Sequence, residues 1–286
     1  MSFDANAHRD ASLENWEDAA SGWVSQAELM REFGAPVSHW MLDAIAPQPG
    51  HRVLELAAGL GETAMLAAEL VAPMGGVVIS DQAEAMLAGA RERAAALGVE
   101  NVEFKVLNAE WIDLPVASVD AVICRWGYML MADPAAALGE TRRVLSSGGR
   151  VALAVWDKLD VNPWALLPTR ELIERGLIPP PDPAAEPAPG PFRLGSETRV
   201  RELLEEAGFA DVHVEGLDLV RRHASFEELW DSTLDLSRNF HDAVLSRPAA
   251  EVEQIKLSLA ERFAAYTSAD GTLEMPGRTL VASASA

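Results

Sequence analysis

Short apolar runs alternate with helical patterns through the middle of the chain. The apolar runs predict strands at 53–56, 76–80, 102–107, 118–124 and 150–156. Apolar residues at helical spacing predict helices at 63–71 and 82–97, and a third from Asp133-Pro134 to Gly148-Gly149. Strands that alternate with helices favour a doubly wound α/β fold with a mostly parallel sheet.

The flanking segments do not follow this alternation. Residues 1–50 are polar with scattered tryptophans, and they predict a helical cap punctuated by Gly34, Pro36, Pro47 and Pro49. Residues 157–196 hold seven prolines between Pro179 and Pro191, which predicts a loop or an ordered lid.

The carboxyl-terminal part returns to regular patterns. It predicts a helix at 198–207, which ends at Gly208, and a strand at 211–217. Ser225 and Glu228 form a capping box, which predicts the start of a helical stretch that continues to about Tyr266. A short strand follows at 278–283. We therefore divide the chain into a cap (1–50), an α/β core (51–156), a Pro-rich insertion (157–196), more core (197–222), a helical cap insertion (223–270) and a final core strand (271–286).

A glycine turn follows the first predicted strand. Glu55 ends the strand, and Gly59 and Gly61 allow backbone to approach a ligand closely. The spacing also fits a dinucleotide fingerprint, with Asp81 lying 20 residues beyond Gly61, where that fold keeps a ribose-binding acid. A carboxylate at Glu55 would repel a pyrophosphate but favour the ammonium and sulfonium of S-adenosylmethionine. The local chemistry therefore favours the methyl donor over a dinucleotide.

Charge and composition narrow the range of partners. The formal net charge of −21 disfavours nucleic acid and anionic membrane surfaces. The single cysteine, Cys124, lies in an apolar run, so the sequence offers neither a disulfide framework nor a cysteine-rich metal site. Without a signal peptide or a run of 18 apolar residues, we expect a cytoplasmic protein that does not span a membrane, and leave its oligomeric state open.

Several segments together resemble the class I S-adenosylmethionine-dependent methyltransferases, and in particular the small-molecule group that includes the ubiquinone/menaquinone-biosynthesis type. The resemblance covers about residues 36–220 and lies in VLELAAGLGE (53–62), VVISDQAEAML (77–87), LNAEWIDLP (107–115), VDAVICRWG (119–127) and RRVLSSGGRVALAVW (142–156). It implies a Rossmann-like, seven-stranded sheet whose last strand, 278–283, inserts antiparallel between 150–156 and 211–217. Ala57 stands where many members have glycine, and alanine is tolerated there if φ stays negative.

The resemblance also implies a set of cofactor-binding residues: Glu55 on the methionine ammonium; Ala57, Gly59 and Gly61 with backbone along the methionyl part; Asp81 on the ribose hydroxyls; Gln82 and Met86 beside the adenine; Asn108, Ala109 and Glu110 at the adenine edge; Arg125 and Trp126 facing the transferred methyl. We expect the acceptor between the tips of the first and fourth strands, roofed by 10–40 and the insertions at 157–196 and 223–266. Several of Trp16, Trp23, Trp40, Trp126, Trp164 and Trp230 could line that site.

The expected reaction is an in-line transfer of a methyl group to a small, mainly apolar molecule, which yields S-adenosylhomocysteine. It needs no metal. A general base is needed only for a poorly ionised acceptor, and the candidates are His39, His223 and His241, with Tyr128 as a positioning group. No catalytic residue is assigned. The alternatives are a non-catalytic protein that binds S-adenosylmethionine or S-adenosylhomocysteine, and an NAD(P)-dependent oxidoreductase.

Overall fold

The computed structural model describes residues 3–181 and 188–286. One seven-stranded sheet forms its centre, with the order β3-β2-β1-β4-β5-β7-β6. The strands are β1 (Arg52–Glu55), β2 (Gly76–Asp81), β3 (Val102–Val106), β4 (Val119–Arg125), β5 (Leu145–Trp156), β6 (Ala210–His223) and β7 (Leu273–Ser285). The helices are α1 (Ala5–Ser25), α2 (Ala27–Ile45), α3 (Glu62–Val71), α4 (Glu84–Leu97), α5 (Pro134–Val144), α6 (Pro163–Glu174), α7 (Glu197–Glu206), α8 (Phe226–Leu236), α9 (Arg238–Leu245) and α10 (Ala249–Phe263).

The sheet confirms the predicted topology. β1 to β5 pair in parallel, whereas β7 runs antiparallel to both β5 and β6. The middle positions of the central strands, 53–54, 77–79 and 121–124, are apolar and buried, because helices cover the sheet and remove these side chains from water. The carboxyl ends of β1, β2 and β4 consequently meet at one edge of a rigid core.

The structure differs from the sequence prediction at two places in the order of helices and strands. α2 continues through Gly34 and Pro36, because its apolar side, with Val37 and Met41 fully buried, holds the helix against the core. β5 begins at Leu145, so α5 ends at Val144 and not at Gly148-Gly149. Tertiary packing overrides the local breakers at both places.

The Pro-rich insertion and the last two strands also hold more regular structure than the sequence indicated. α6 lies within the segment predicted to be a loop or lid, and the centre of its proline run, 182–187, is outside the described residues. β6 and β7 pair from Ala210↔Ser285 to His223↔Leu273, well beyond the predicted 211–217 and 278–283. The extension of β7, with Leu273 and Met275, packs with α6, α8, α9 and α10 in a second hydrophobic cluster.

Candidate functional site

A cavity lies beyond the carboxyl ends of β1, β2 and β4, where open α/β sheets bind ligands. Its empty space, counted together with its open mouth, is about 1070 Å³. Its floor comes from the strand ends and its roof from the two N-terminal helices. The lining residues are His8, Arg9, Ser12, Trp16, Trp23, Met30, Glu55, 57–60, Glu62, Asp81, Gln82, Met86, 107–110, 125–127 and 130–132.

The turn after β1 is built on left-handed backbone. Ala57 has φ +48°, Gly59 +54° and Gly61 +73°. The expectation that Ala57 keeps a negative φ is therefore wrong, and holding alanine there costs on the order of 1–3 kcal/mol. Gly61 is the one predicted site residue outside the lining, since it caps α3 and packs beside Met65 and Ile79.

Glu55 ends β1 and is almost fully enclosed, with 2% of its surface exposed. Its Oε2 accepts a hydrogen bond of 2.9 Å from the backbone N–H of Ala64, in the first turn of α3. Burial raises the pKa of this carboxyl to about 8, although the Arg125 guanidinium opposes the shift. Glu55 is therefore mainly protonated at neutral pH, and a cation placed beside it would favour its ionised form.

Asp81 ends β2 and connects two loops. Its carboxylate accepts hydrogen bonds from the backbone N–H groups of Gly59 (2.9 Å) and Ala83 (3.0 Å). Burial raises the pKa of Asp81, and these backbone donors oppose the shift. Gln82 follows on the cavity wall, and its amide donates to the Ser12 hydroxyl of α1.

The segment after β3 is tied to the roof. Asn108 Oδ1 accepts from the backbone N–H of Glu110 at 2.8 Å, which shapes the turn. The Glu110 carboxylate pairs with Arg9 of α1 and also accepts from the backbone N–H of Ala132. Glu110 thus lines the cavity and fastens α1 and the 128–132 segment over it.

The end of β4 presents a cation and an aromatic wall. Arg125 donates to Glu62 Oε2 at 2.9 Å, and its guanidinium lies 4.9 Å from the Trp126 ring centroid. Trp126 has φ +61° and stacks on Trp156 with centroids 4.4 Å apart. Phe33 of α2 stacks against both indoles. The β4 side of the cavity therefore combines one arginine with broad apolar surface.

Gly34 makes room for Arg125. A Cβ atom at Gly34 would lie 1.8 Å from Arg125 Nη1, whereas one at Gly139 in α5 would meet nothing within 4 Å. A glycine inside a helix costs about 0.5–1 kcal/mol relative to alanine. We expect Gly139→Ala to raise the free energy of unfolding by about that amount and Gly34→Ala to give no gain or a loss, as measured by chemical denaturation. An equal gain in both variants would contradict the close approach.

The structure places the proposed bases away from the cavity. His39 is exposed on α2, His241 contacts Asp242 on α9, and His223 is buried beside Arg221. Burial lowers the pKa of His223 to about 3, with the Arg221 charge adding to the effect. None of the three is in the lining. The Tyr128 hydroxyl is likewise outside the lining, bonded to Thr141.

Sequence reasoning missed several lining residues of the roof. His8 lies on the wall with Nε2 2.9 Å from the carbonyl oxygen of Leu130, and Arg9, Ser12 and Met30 were not singled out either. They sit in helices with no motif, so only the docking of α1 and α2 brings them to the site. Of the six tryptophans considered, Trp16, Trp23 and Trp126 line the cavity. Within 3–181 and 188–286, no residue of the two insertions does so.

The described residues hold no group of three or more His, Cys, Asp or Glu side chains arranged to bind a metal ion. No helix in the described part of the chain is long and apolar enough to cross a membrane.

Comparison with known proteins gives the family. Residues 47–175 match the model of a methyltransferase domain. The chain is 30% identical over 204 residues to nocamycin O-methyltransferase of Saccharothrix syringae, an alignment that covers 69% of this chain and 73% of that protein. It is 35% identical over 123 residues to the ubiquinone/menaquinone biosynthesis C-methyltransferase of Pasteurella multocida, covering 43% of this chain and 46% of that relative, so the match spans less than half of the relative's length.

The solved structures agree on the fold. The YcgJ protein of Bacillus subtilis superposes with a TM-score of 0.56 at 20% identity, covering 87% of this chain and 97% of that one. The strand order with an antiparallel β7, the turn after β1 and the methyltransferase relatives point the same way. The chain belongs to the class I S-adenosylmethionine-dependent methyltransferases.

Proposed function

We propose that this protein transfers a methyl group from S-adenosylmethionine to a small, mainly apolar acceptor, and that both bind in the cavity above β1, β2 and β4. The observation that carries the proposal is the charge pattern of the lining. Arg9 pairs with Glu110 and Arg125 pairs with Glu62, so Glu55 and Asp81 are the acids without an arginine of their own.

The residues present fit the donor. Asp81 offers carboxylate oxygens for two ribose hydroxyls, and Asn108 offers an amide and a turn at the adenine end. Glu55, buried without a cation bonded to it, suits the methionine ammonium. Gly59 and Ala57 bring backbone to the same wall. Bound S-adenosylmethionine supplies an electrophilic methyl group on sulfur; the chain supplies alignment and exclusion of water.

The same pattern disfavours a dinucleotide. A pyrophosphate would have to lie at the turn after β1, next to Glu55 and Glu62. The phosphates would then lie beside the Glu62 carboxylate, while the nearby arginines are already engaged in ion pairs. Binding NAD(P) would therefore bring like charges together in a site of low dielectric constant.

The acceptor end is apolar and aromatic. Trp126, Met30 and Met131 line it, and Phe33 and Trp156 support Trp126 from behind. No described histidine of the three considered as bases reaches this surface. The acceptor is thus held by apolar contact, and its reactive atom must become nucleophilic without those side chains.

Thermal unfolding with added ligands tests the proposal. We expect S-adenosylmethionine and S-adenosylhomocysteine to raise the melting temperature, because a ligand at about 100 times its dissociation constant adds about 2.7 kcal/mol of stability. NAD and NADP at equal concentration should leave it unchanged. A shift with the dinucleotides alone would overturn the proposal. Binding of S-adenosylhomocysteine, without methyl transfer to any of a broad panel of phenols, enols and amines, would favour the non-catalytic alternative.

A further inference from the structure

The amino-terminal half of α1 covers the cavity without being packed into the core. Residues 5–18 all lie in the described chain and none of them is buried, since burial in α1 begins with Ala19 and Ala20. Arg9 and Ser12 nevertheless line the cavity. A segment with few buried apolar contacts opens at a lower free-energy cost than the core does. This half of α1 is therefore the part of the roof best suited to move.

Single polar contacts hold this half of α1 over the strand ends. Arg9 pairs with Glu110, whose side chain is only 3% exposed. The Ser12 hydroxyl accepts a hydrogen bond of 3.0 Å from the Gln82 amide. Both partners belong to the wall where we expect the nucleoside end of the donor. These contacts can break and re-form without disrupting a hydrophobic cluster.

The carboxyl-terminal end of α1 is anchored on α8. Ser25 and Gln26 donate hydrogen bonds of 3.0 and 2.7 Å to the Asp235 carboxylate. A Cβ atom at Gly22 would collide with the carbonyl oxygen of Asp235, so the two backbones are in direct contact. α1 therefore has one anchored end and one end held by polar contacts, as hinge motion of a helix requires.

A surface groove lies beside the polar contacts. Leu13 of α1 forms one side of it, and Val106 at the end of β3 and Trp111 also line it; all three side chains are exposed. The groove and the cavity share four lining residues, which are Arg9, Gln82, Leu107 and Asn108. The groove is thus the neighbour of the cavity across a wall of side chains.

Arg9 stands at the boundary between the two spaces. On the groove side its guanidinium lies 5.3 Å from the ring centroid of the exposed Trp111, and on the cavity side it bonds to the buried Glu110. Trp111 lines only the groove, and Glu110 lines only the cavity. Separation of Arg9 from Glu110 would therefore open the wall at the position where the two spaces meet.

We propose that residues 5–18 form a lid, and that S-adenosylmethionine enters and its product leaves between this lid and the end of β3. Opening breaks the Arg9–Glu110 and Ser12–Gln82 contacts and joins the groove to the cavity. Closure covers the nucleoside end and helps to exclude water during methyl transfer. The inference rests on the proposed function, since it takes the cavity as the donor site. Within the described residues, the Pro-rich insertion adds nothing to the lining, so the lid is α1 and not that segment.

A reversible link across the groove tests this route. In Leu13→Cys/Val106→Cys, a short linker that contains a cleavable disulfide would join α1 to the end of β3. Both positions are exposed and outside the cavity lining. The natural Cys124 is buried, and burial raises its pKa to about 12, so it should not react. Ser25→Cys/Asp235→Cys, linked in the same way, is the matched control at the anchored end.

Stopped-flow tryptophan fluorescence would measure how fast S-adenosylhomocysteine binds and leaves. We expect the link across the groove to slow both association and dissociation at least about tenfold, because the lid cannot open. Cleavage of the linker should restore both rates. The linked control should exchange ligand at the rate of the unmodified protein. Unchanged rates across the groove, or equal slowing in both linked proteins, would overturn the inference.

Arg9→Met tests the ion pair without any linker. It keeps a long side chain but removes the charge that pairs with Glu110, so the lid should open more often. We expect association and dissociation both to become about fivefold faster. Faster dissociation with unchanged association would mean that Arg9 only contacts the ligand, which would overturn its role in closing the lid. Arg91→Met, which removes an exposed ion pair outside the cavity, is the control and should change neither rate.

The proposed function can fail separately from the lid. If S-adenosylhomocysteine does not bind the unmodified protein, the proposed function is rejected. If it binds and the rates do not respond to the link or to Arg9→Met, only the lid is rejected, and the donor enters through another opening of the cavity.

Discussion

Asp81→Ala is expected to weaken the binding of S-adenosylhomocysteine by about 1–3 kcal/mol, which is roughly a 5- to 150-fold rise in the dissociation constant. The carboxylate lies on the cavity wall at the end of β2, where it can accept from two ribose hydroxyls. Its removal would leave those hydroxyls without a charged acceptor. Calorimetric titration gives the dissociation constant directly.

Asp81→Ala should also lower the stability of the folded protein. Asp81 also accepts from the backbone of Gly59 and Ala83, so alanine leaves two N–H groups to find other partners. Glu84→Ala is the matched control, because Glu84 is an exposed acid three residues further on that pairs with Arg91 outside the cavity. It should bind S-adenosylhomocysteine normally. If Asp81→Ala folds and binds equally well, the ribose assignment is wrong.

The core of the fold could be predicted because its signal is local. The central parallel strands β1, β2 and β4 are buried on both faces and contain apolar runs, and the helices have an apolar side at helical spacing. α5 begins at the predicted Asp133-Pro134, and the Asp133 side chain accepts a hydrogen bond from the backbone N–H of Ala136. The antiparallel β7 followed from the family resemblance and not from the pattern of 278–283.

The extension of β6 and β7 could not be read in this way. The inward-facing positions of β6 beyond Leu217 include Arg221 and His223, which are buried polar residues where a strand pattern needs apolar ones. Arg221 is accommodated between the rings of Phe33 and Trp164 and bonds to His223. Such a cluster is stable only in the assembled fold, so it leaves no hydrophobic periodicity in the sequence.

The site was predictable at its floor and not at its roof. Glu55, Asp81 and Asn108 follow strands, and strand ends converge by topology. His8, Arg9 and Ser12 reach the cavity only because α1 docks across it through Arg9–Glu110 and Ser12–Gln82 contacts. These are single polar contacts between distant segments. No spacing rule connects residue 9 with residue 110.

Binding of S-adenosylhomocysteine is expected to release a proton from Glu55 near neutral pH. In the ligand-free protein, burial holds the pKa of Glu55 at about 8, so the group is mainly protonated at pH 7. An ammonium group beside it favours the carboxylate and lowers that pKa. The affinity for S-adenosylhomocysteine should therefore rise between about pH 6 and pH 8, because Glu55 is already ionised in a larger fraction of the ligand-free protein as the pH increases.

The raised pKa of Glu55 also determines how the stability of the folded protein changes with pH. The pKa of Glu55 is raised in the folded state above its ordinary value of 4.5. The stability contributed by its bound proton is therefore complete below about pH 4.5 and is lost as the pH rises through about pH 8. Glu55→Gln resembles the protonated form and cannot ionise. At pH 8 this variant should unfold at a temperature equal to or above that of the unmodified protein.

Glu55→Gln should weaken ligand binding without lowering the stability of the fold. We expect it to weaken S-adenosylhomocysteine at least about tenfold, because a neutral amide cannot pair with the ammonium, while its melting temperature at pH 8 does not fall. Calorimetry in buffers of different ionisation enthalpy should show proton release for the unmodified protein and none for the variant. Methylthioadenosine, which has no ammonium, should release no proton from either. Proton release that persists in Glu55→Gln would assign the titration to another group and remove Glu55 from the ammonium site.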